Sequence, residues 1–157
     1  MRDETRKPSD PAKLRDDTVS FFHSRFGLGK ELFEGYGFNL GPKEKIYLGP
    51  KKVPGNPKIV SMGLLIARVS GSVKPTTNLL QLFGKQVTKN FIILPKEQVP
   101  SFLKGEDLQL DKSAIGHATD GYVLVRYLDY PLGCGFLKGK TMKNMLPKAK
   151  RLGLKYI

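Results

Sequence analysis

A chain of 157 residues with 27 Lys+Arg against 14 Asp+Glu carries a formal net charge of +13. Its length fits one domain, or one domain with a small appendage, and 39% hydrophobic and 10% aromatic residues suffice for a core and exclude wholesale disorder. One cysteine, Cys134, excludes an intramolecular disulfide framework and a multi-cysteine zinc site, and His23 and His117 leave little material for a transition-metal centre.

The first residues are polar and aperiodic, so 1–12 is expected to be a mobile arm. They lead into no apolar h-region of a secretory signal. No apolar run approaches the roughly 20 residues of a membrane helix. Asp10-Pro11 has the form of an N-cap followed by a proline at the first helical position. A helix is predicted over 11–26, with Leu14, Val19, Phe22 and Phe26 near one face, ended by Gly27 and Gly29. A helical turn over 31–34, closed by Gly35, precedes a strand pair, 37–40 and 45–48, across Gly41-Pro42. The stretch 49–57 is a basic loop with three prolines and marks a soft boundary. A small N-terminal α/β segment, 13–58, is thus expected before a larger unit, 59–157.

The larger unit opens with a buried strand run, 62–69, and a Ser70-Gly71-Ser72 turn. Lys74-Pro75-Thr76-Thr77 is predicted to open a helix over 78–83, stopped by Gly84. A strand over 89–94, a short helix over 95–103 closed by Gly105, and an edge strand at 108–110 follow. Residues 121–128 alternate, with Tyr122, Leu124, Arg126 and Leu128 on one face and Val123, Val125 and Tyr127 on the other. Residues 131–137 form a further strand, in which Gly133 and Gly135 mark a bulge or bend. A tight turn at Lys138-Gly139 joins it to the next. Short strands broken by Gly and Pro indicate an α+β chain built on a closed or half-closed barrel with helices at its ends. There is no internal repeat.

The charge is segregated. Residues 45–96 carry nine bases and residues 130–157 carry seven, with no acid in either window. The remaining 77 residues hold 11 bases and all 14 acids, a net of −3. Selection for solubility alone intersperses the signs, whereas segregation builds a field that attracts polyanions, nucleic acid above all. Anionic membrane fits less well, because no long amphipathic basic helix is visible.

Catalytic motifs are weak. Before Gly139-Lys140-Thr141, Gly135 leaves three intervening residues and Gly133 five. A phosphate loop needs four, so that successive amides can wrap the anion. Gly35-Tyr36-Gly37 meets Leu40 where a dinucleotide or S-adenosylmethionine fingerprint needs its third glycine. His23 belongs to helix packing, and His117 has no nucleophile tied to it. Cys134 reads as a small buried hydrophobe. Two basic constellations remain. Lys74, Thr76, Thr77 and Asn78 sit at a helix start, where free amides and the positive dipole end suit a phosphate. Plain capping explains the same residues equally well. The stronger signal is the run Lys138, Lys140, Lys143, Asn144, Lys148, Lys150, Arg151 and Lys155, interleaved with Met142, Met145, Leu146 and Leu152. Such bases position RNA or DNA by its phosphates and carry little sequence information.

Three segments occur in one order: Lys74-Pro75-Thr76-Thr77-Asn78-Leu79-Leu80, Tyr130-Pro131-Leu132-Gly133-Cys134-Gly135, and Lys143-Asn144-Met145-Leu146-Pro147-Lys148-Ala149-Lys150-Arg151. Together they resemble the C-terminal PUA-like RNA-binding domain of Sun-type RNA 5-methylcytosine methyltransferases of the RsmF group. Phe26-Gly27-Leu28 and Phe33-Glu34-Gly35-Tyr36 are similar to the helical piece preceding that domain. The resemblance implies a PUA-like β-barrel with flanking helices that binds structured RNA near the Lys74–Asn78 helix start and the 131–135 strand. Cys134 departs from the pattern, standing where many relatives carry an aromatic residue. The segments of the methyltransferase core, with its cofactor site and catalytic cysteines, find no counterpart.

The expectation is therefore a cytoplasmic, non-catalytic RNA-binding protein without cofactor or metal, acting on rRNA or tRNA in RNA modification or ribosome assembly. Two alternatives stand beside it: the RNA-docking subunit of a separately encoded methyltransferase, and a structural ribosome-associated protein.

Overall fold

The computed structural model describes residues 10–51 and 63–152. Residues 1–9 of the expected arm, 52–57 of the basic loop, Met62 and Lys155 lie outside the described residues. The first helix, α1 (Pro11–Phe26), begins as its sequence dictates. Asp10 accepts the Ala12 amide at 3.0 Å, Pro11 occupies the first turn, and Gly27 closes the helix in the left-handed region at φ 71°. Thr18, Val19, Phe22 and Phe26 form its buried face. A 3-10 turn over Lys30–Phe33 then buries Phe33, whose ring stacks on Phe22 with centroids 5.8 Å apart.

Four strands follow as an antiparallel meander: β1 (Tyr36–Leu40), β2 (Lys45–Pro50), β3 (Leu64–Ser70) and β4 (Ser72–Pro75). The β2–β3 ladder bridges residue 59, where the sequence suggests a soft boundary. Strand β4 departs from expectation, since Lys74-Pro75 reads as a helix opening. Gly71, at φ 76°, turns the chain back so that Lys74 pairs with Arg68 and Pro75 with Ala67. The helix α2 (Thr77–Phe83) starts only afterwards.

The second sheet has the order β5-β7-β8-β9-β6. It comprises β5 (Phe91–Ile93), β6 (Leu108–Gln109), β7 (Gly121–Tyr127), β8 (Tyr130–Lys138) and β9 (Thr141–Asn144). Strand β5 runs parallel to β7 and the other pairs are antiparallel. Two helices sit between strands, α3 (Val99–Leu103) and the unforeseen α4 (Lys112–Ile115). The sheet keeps two edges, β5 and β6, so it is a half-barrel rather than a closed one. The α+β class is the one the sequence indicates.

Both faces of this sheet are covered. Leu124 and Cys134 pack with α1, α2 and the first sheet, while Val123, Val125, Leu137 and Met142 pack with Phe102, Leu108, Ala114 and Leu146. The alternation expected for β7 is therefore masked by double burial: Val123, Leu124 and Val125 are all fully buried. The glycines of β8 do what their positions require. Gly133 opposes Val125 and Pro131 opposes Arg126, which leaves Leu132 as a bulge. A Cβ on Gly135 would lie 2.6 Å from the Met142 sulfur, so any side chain there would have to displace the buried Met142.

Candidate nucleic-acid interface

The helix start at Lys74–Asn78 is a tie between sheets. Thr76 caps α2 by accepting the Leu79 amide at 3.4 Å, and its hydroxyl donates to the Leu65 carbonyl at 2.8 Å. The Asn78 carboxamide donates to that same carbonyl at 3.2 Å. Thr77 is 1% exposed and its hydroxyl oxygen accepts the Cys134 amide at 3.1 Å. The reading of Thr77 as an RNA ligand is corrected accordingly: a hydroxyl sealed between α2 and β8 reaches no phosphate. Lys74 is exposed, but on β4 rather than on the helix.

The C-terminal run divides in the same way. Lys138, Lys140 and Lys143 are exposed on the β8–β9 hairpin, and Lys148 is exposed in the 3-10 turn Lys148–Lys150. Lys150 donates to the Gln81 side chain at 3.0 Å, and Gln81 in turn donates to the Leu132 carbonyl at 3.0 Å, so this lysine is anchored to α2. Arg151 lies across Gly105 and gives its Nε to the Leu146 carbonyl at 2.9 Å. Asn144 is corrected outright. It is buried, and its carboxamide donates to the Phe102 and Glu106 carbonyls at 2.8 and 3.0 Å while accepting the Leu146 amide at 2.8 Å. Its two carboxamide donors serve the end of α3 and the loop after it, and its oxygen holds the chain that leaves β9.

Strand register assembles cations that spacing alone does not reveal. Lys45 opposes Arg68 and Arg68 opposes Lys74, a row of three bases across β2, β3 and β4. On the second sheet, Tyr122 opposes Phe136 and Phe136 opposes Lys143. Phe136 is 37% exposed, and its ring meets Tyr122 at 5.0 Å and 87°. Lys45, Arg68 and Phe136 escaped the sequence reading because each has an ordinary local context. A register prediction pairing 45 with 68 and 136 with 143 would have found them.

Electrostatics around the hairpin are plain. Asp120 accepts the Gly139 amide at 2.9 Å and lies by the Arg25 guanidinium, whose charge it favours. Burial pushes the Cys134 thiol up to about 12, which makes it inert as a nucleophile at neutral pH. His23 is exposed and its Nδ1 lies 3.0 Å from the Leu28 carbonyl, a local helix-end bond. His117 lines a cavity of about 430 Å³ between β5 and α4, whose walls include Phe91, Ile93, Ala114 and Ile115. Among the described residues, no group of three His, Cys, Asp or Glu side chains could hold a metal ion, and no helix is long and apolar enough to cross a membrane.

A short fifth-strand start, a helix-bearing connection and a β7–β8–β9 meander thus carry the exposed lysines of the C-terminal window. That segment, residues 89–152, matches the family described as the methyltransferase RsmF PUA domain. Residues 89–152 are thus similar to a PUA domain of the RsmF type. Two of the three segments on which the resemblance rests, 130–135 and 143–151, lie inside it, and 74–80 precedes it. The matched segment contains Lys138, Lys140, Lys143, Lys148 and Phe136, whereas the Lys45–Arg68–Lys74 row lies before it. A similar protein is the ribosomal RNA small subunit methyltransferase F of Aeromonas hydrophila, 27% identical over 142 residues, which are 88% of this chain and 28% of that protein. The chain thus spans less than a third of the length of that relative.

Proposed function

We propose that this chain binds structured ribosomal or transfer RNA in the cytoplasm, acting in RNA modification or ribosome assembly without carrying out chemistry itself. The observation that supports it is the row and hairpin of cations in two acid-free windows, all exposed but the half-buried Lys45, the second window lying largely in the segment similar to a PUA domain. Lys74, Lys138, Lys140, Lys143 and Lys148 supply phosphate contacts under this reading, with Lys45 and Arg68 added by register. Lys150 and Arg151 border the surface while bracing α2 and the loop after α3.

Phosphate contacts make affinity depend steeply on salt. If six or more are made, affinity for a structured RNA should fall roughly 10³-fold or more between 50 and 200 mM salt. Fluorescence anisotropy on a labelled rRNA hairpin across that range tests it. A flat response, or no binding at low salt, rejects the reading.

The likeness to the Aeromonas small-subunit rRNA methyltransferase favours a second reading, in which these residues dock small-subunit rRNA for a methyltransferase whose catalytic part is a separate chain. Affinity capture from cells separates the two, because a docking subunit brings a methyltransferase with it in fixed ratio. A ribosome-associated structural role instead predicts stoichiometric recovery on mature ribosomes.

A further inference from the structure

We infer that Phe136 is a stacking platform for one unpaired nucleobase of the bound RNA, with Lys143 and Lys138 holding the phosphates on either side. The inference rests on the RNA-binding reading above and names its mode of recognition.

The geometry begins with where the helix stops. On the sheet face that carries Leu124, Cys134 and Phe136, α2 covers the first two, which are 0% and 1% exposed. Two residues further along β8 the cover ends, and Phe136 is 37% exposed. Successive side chains on a strand alternate faces, so Phe136, Lys138 and the cross-strand partner Lys143 project from one side. Directly opposed residues lie about 5 Å apart, so the ring and the Lys143 ammonium stem are neighbours. Tyr122, opposite on the other flank, meets the Phe136 ring nearly perpendicularly at 5.0 Å and fixes its orientation.

A cross-strand packing partner of Tyr122 needs no lysines around it. Here the adjoining exposed positions of β8 and β9 are Lys138, Thr141 and Lys143, in a window of the sequence that contains no acid. Asp120 at the hairpin end is already engaged by the Gly139 amide. An exposed ring with one lysine opposite it on β9 and another two residues along β8 matches the two demands of an unpaired nucleotide, a π face for its base and cations for its phosphates. A double helix offers phosphates alone, its bases being stacked internally. The occupant is therefore a loop or bulge nucleotide rather than duplex.

The test uses the full chain and two RNAs of equal length, a hairpin carrying 2-aminopurine in its unpaired loop and a blunt duplex. Phe136→Leu keeps apolar volume against Tyr122 and removes the ring, and Phe136→Tyr restores a ring. We expect Phe136→Leu to weaken hairpin binding roughly 5- to 150-fold, the range for losing one base–aromatic stack, with the 2-aminopurine quench lost. Duplex affinity and the salt slope should hold, and Phe136→Tyr should recover both hairpin affinity and quench. Lys143→Ala should lower the salt slope by about one on both RNAs. Equal losses on hairpin and duplex, or no loss on either, overturn the inference while leaving RNA binding intact. If the unaltered chain binds neither RNA at low salt, the function reading falls first and this one with it. Melting temperatures of all three variants establish that each is folded.

Discussion

The Asn144 amide donates to a carboxylate oxygen of Asp107 at 2.8 Å, joining β9 to the loop that enters β6. The Asn144 carboxamide completes the joint by satisfying the Phe102 and Glu106 carbonyls and the Leu146 amide. Lys143, its neighbour in sequence, points the other way into solvent. The two residues lie in one basic run, yet the pleat gives them opposite duties. Asn144→Ala strands three buried backbone groups, and each unsatisfied group costs about 1–3 kcal/mol. Some relief by water is to be expected, so a loss of about 2–4 kcal/mol should appear in urea unfolding. Lys143→Ala should stay within about 0.5 kcal/mol.

Arg68 sits between Lys45 and Lys74 in the register of the first sheet. Like charges placed directly opposite one another destabilise a sheet by about 0.2–1 kcal/mol per pair. Arg68→Thr, a β-branched residue suited to a strand, should thus leave stability unchanged or raised by up to that amount. Under the RNA-binding reading it should also weaken RNA binding and lower the salt slope by about one. Stability and affinity moving in opposite directions is the outcome to measure, by thermal melts beside binding isotherms. A fall in both places Arg68 in the scaffold instead.

The Cys134 thiol is fully buried between Gly133 and Gly135, and burial pushes it from the ordinary 9.0 up to about 12. In the folded chain it should resist alkylation at pH 8 and react once urea unfolds the protein. The sign of the linkage follows from the raised value. Above pH 9 the unfolded chain has lost this proton while the folded chain keeps it, so the unfolded state gains. The stabilisation is whole below pH 9 and drains away as pH rises towards 12. Between pH 8 and 10 the stability gap between the natural chain and Cys134→Ala should narrow by about 1 kcal/mol.

What the sequence showed and what it hid divide along physical lines. The limits of α1 were legible because Asp10, Pro11 and Gly27 act locally, through capping and a left-handed φ. Gly133 beside the Leu132 bulge was legible for the same reason. Strand β4 was hidden because Lys74-Pro75 has helix-opening chemistry, and only the β3 partner at 67–68 overrides it. Thr77 and Asn144 were misread because a polar residue in a basic run looks exposed. Their burial is decided by Cys134 and by Phe102, 57 and 42 residues away. Lys138, Lys140, Lys143 and Lys148 came out on the surface, where long cations belong unless paired. Register escapes a reading of one strand at a time, and with it went the bases beside Lys74 and the ring beside Lys143.

Arg25 gave no sign of importance in the sequence, yet it fastens α1 to the second sheet. Its Nε donates to the Tyr122 carbonyl, and its two terminal nitrogens donate to the Thr119 hydroxyl and carbonyl, all at 2.7 Å. Asn90, at φ 53°, closes the circuit by donating to the Arg25 carbonyl at 2.6 Å and accepting the Thr119 amide at 2.9 Å. Partial burial lowers the affinity of the guanidinium for its proton and Asp120 counters this, but an arginine stays charged throughout the working range. Arg25→Met keeps the stem and deletes all three donors, and a loss of about 1–3 kcal/mol should follow, since each hydrogen bond contributes about 1 kcal/mol net. Arg25→Lys should recover less than half, because a single ammonium cannot reproduce a planar fork aimed at two residues. Hydrogen exchange locates the effect: amides of α1 should lose protection in Arg25→Met while those of β8 and β9, held by their own ladder, keep it. Uniform loss across both sheets would mean that the clamp belongs to one cooperative unit rather than to the seam between α1 and the second sheet.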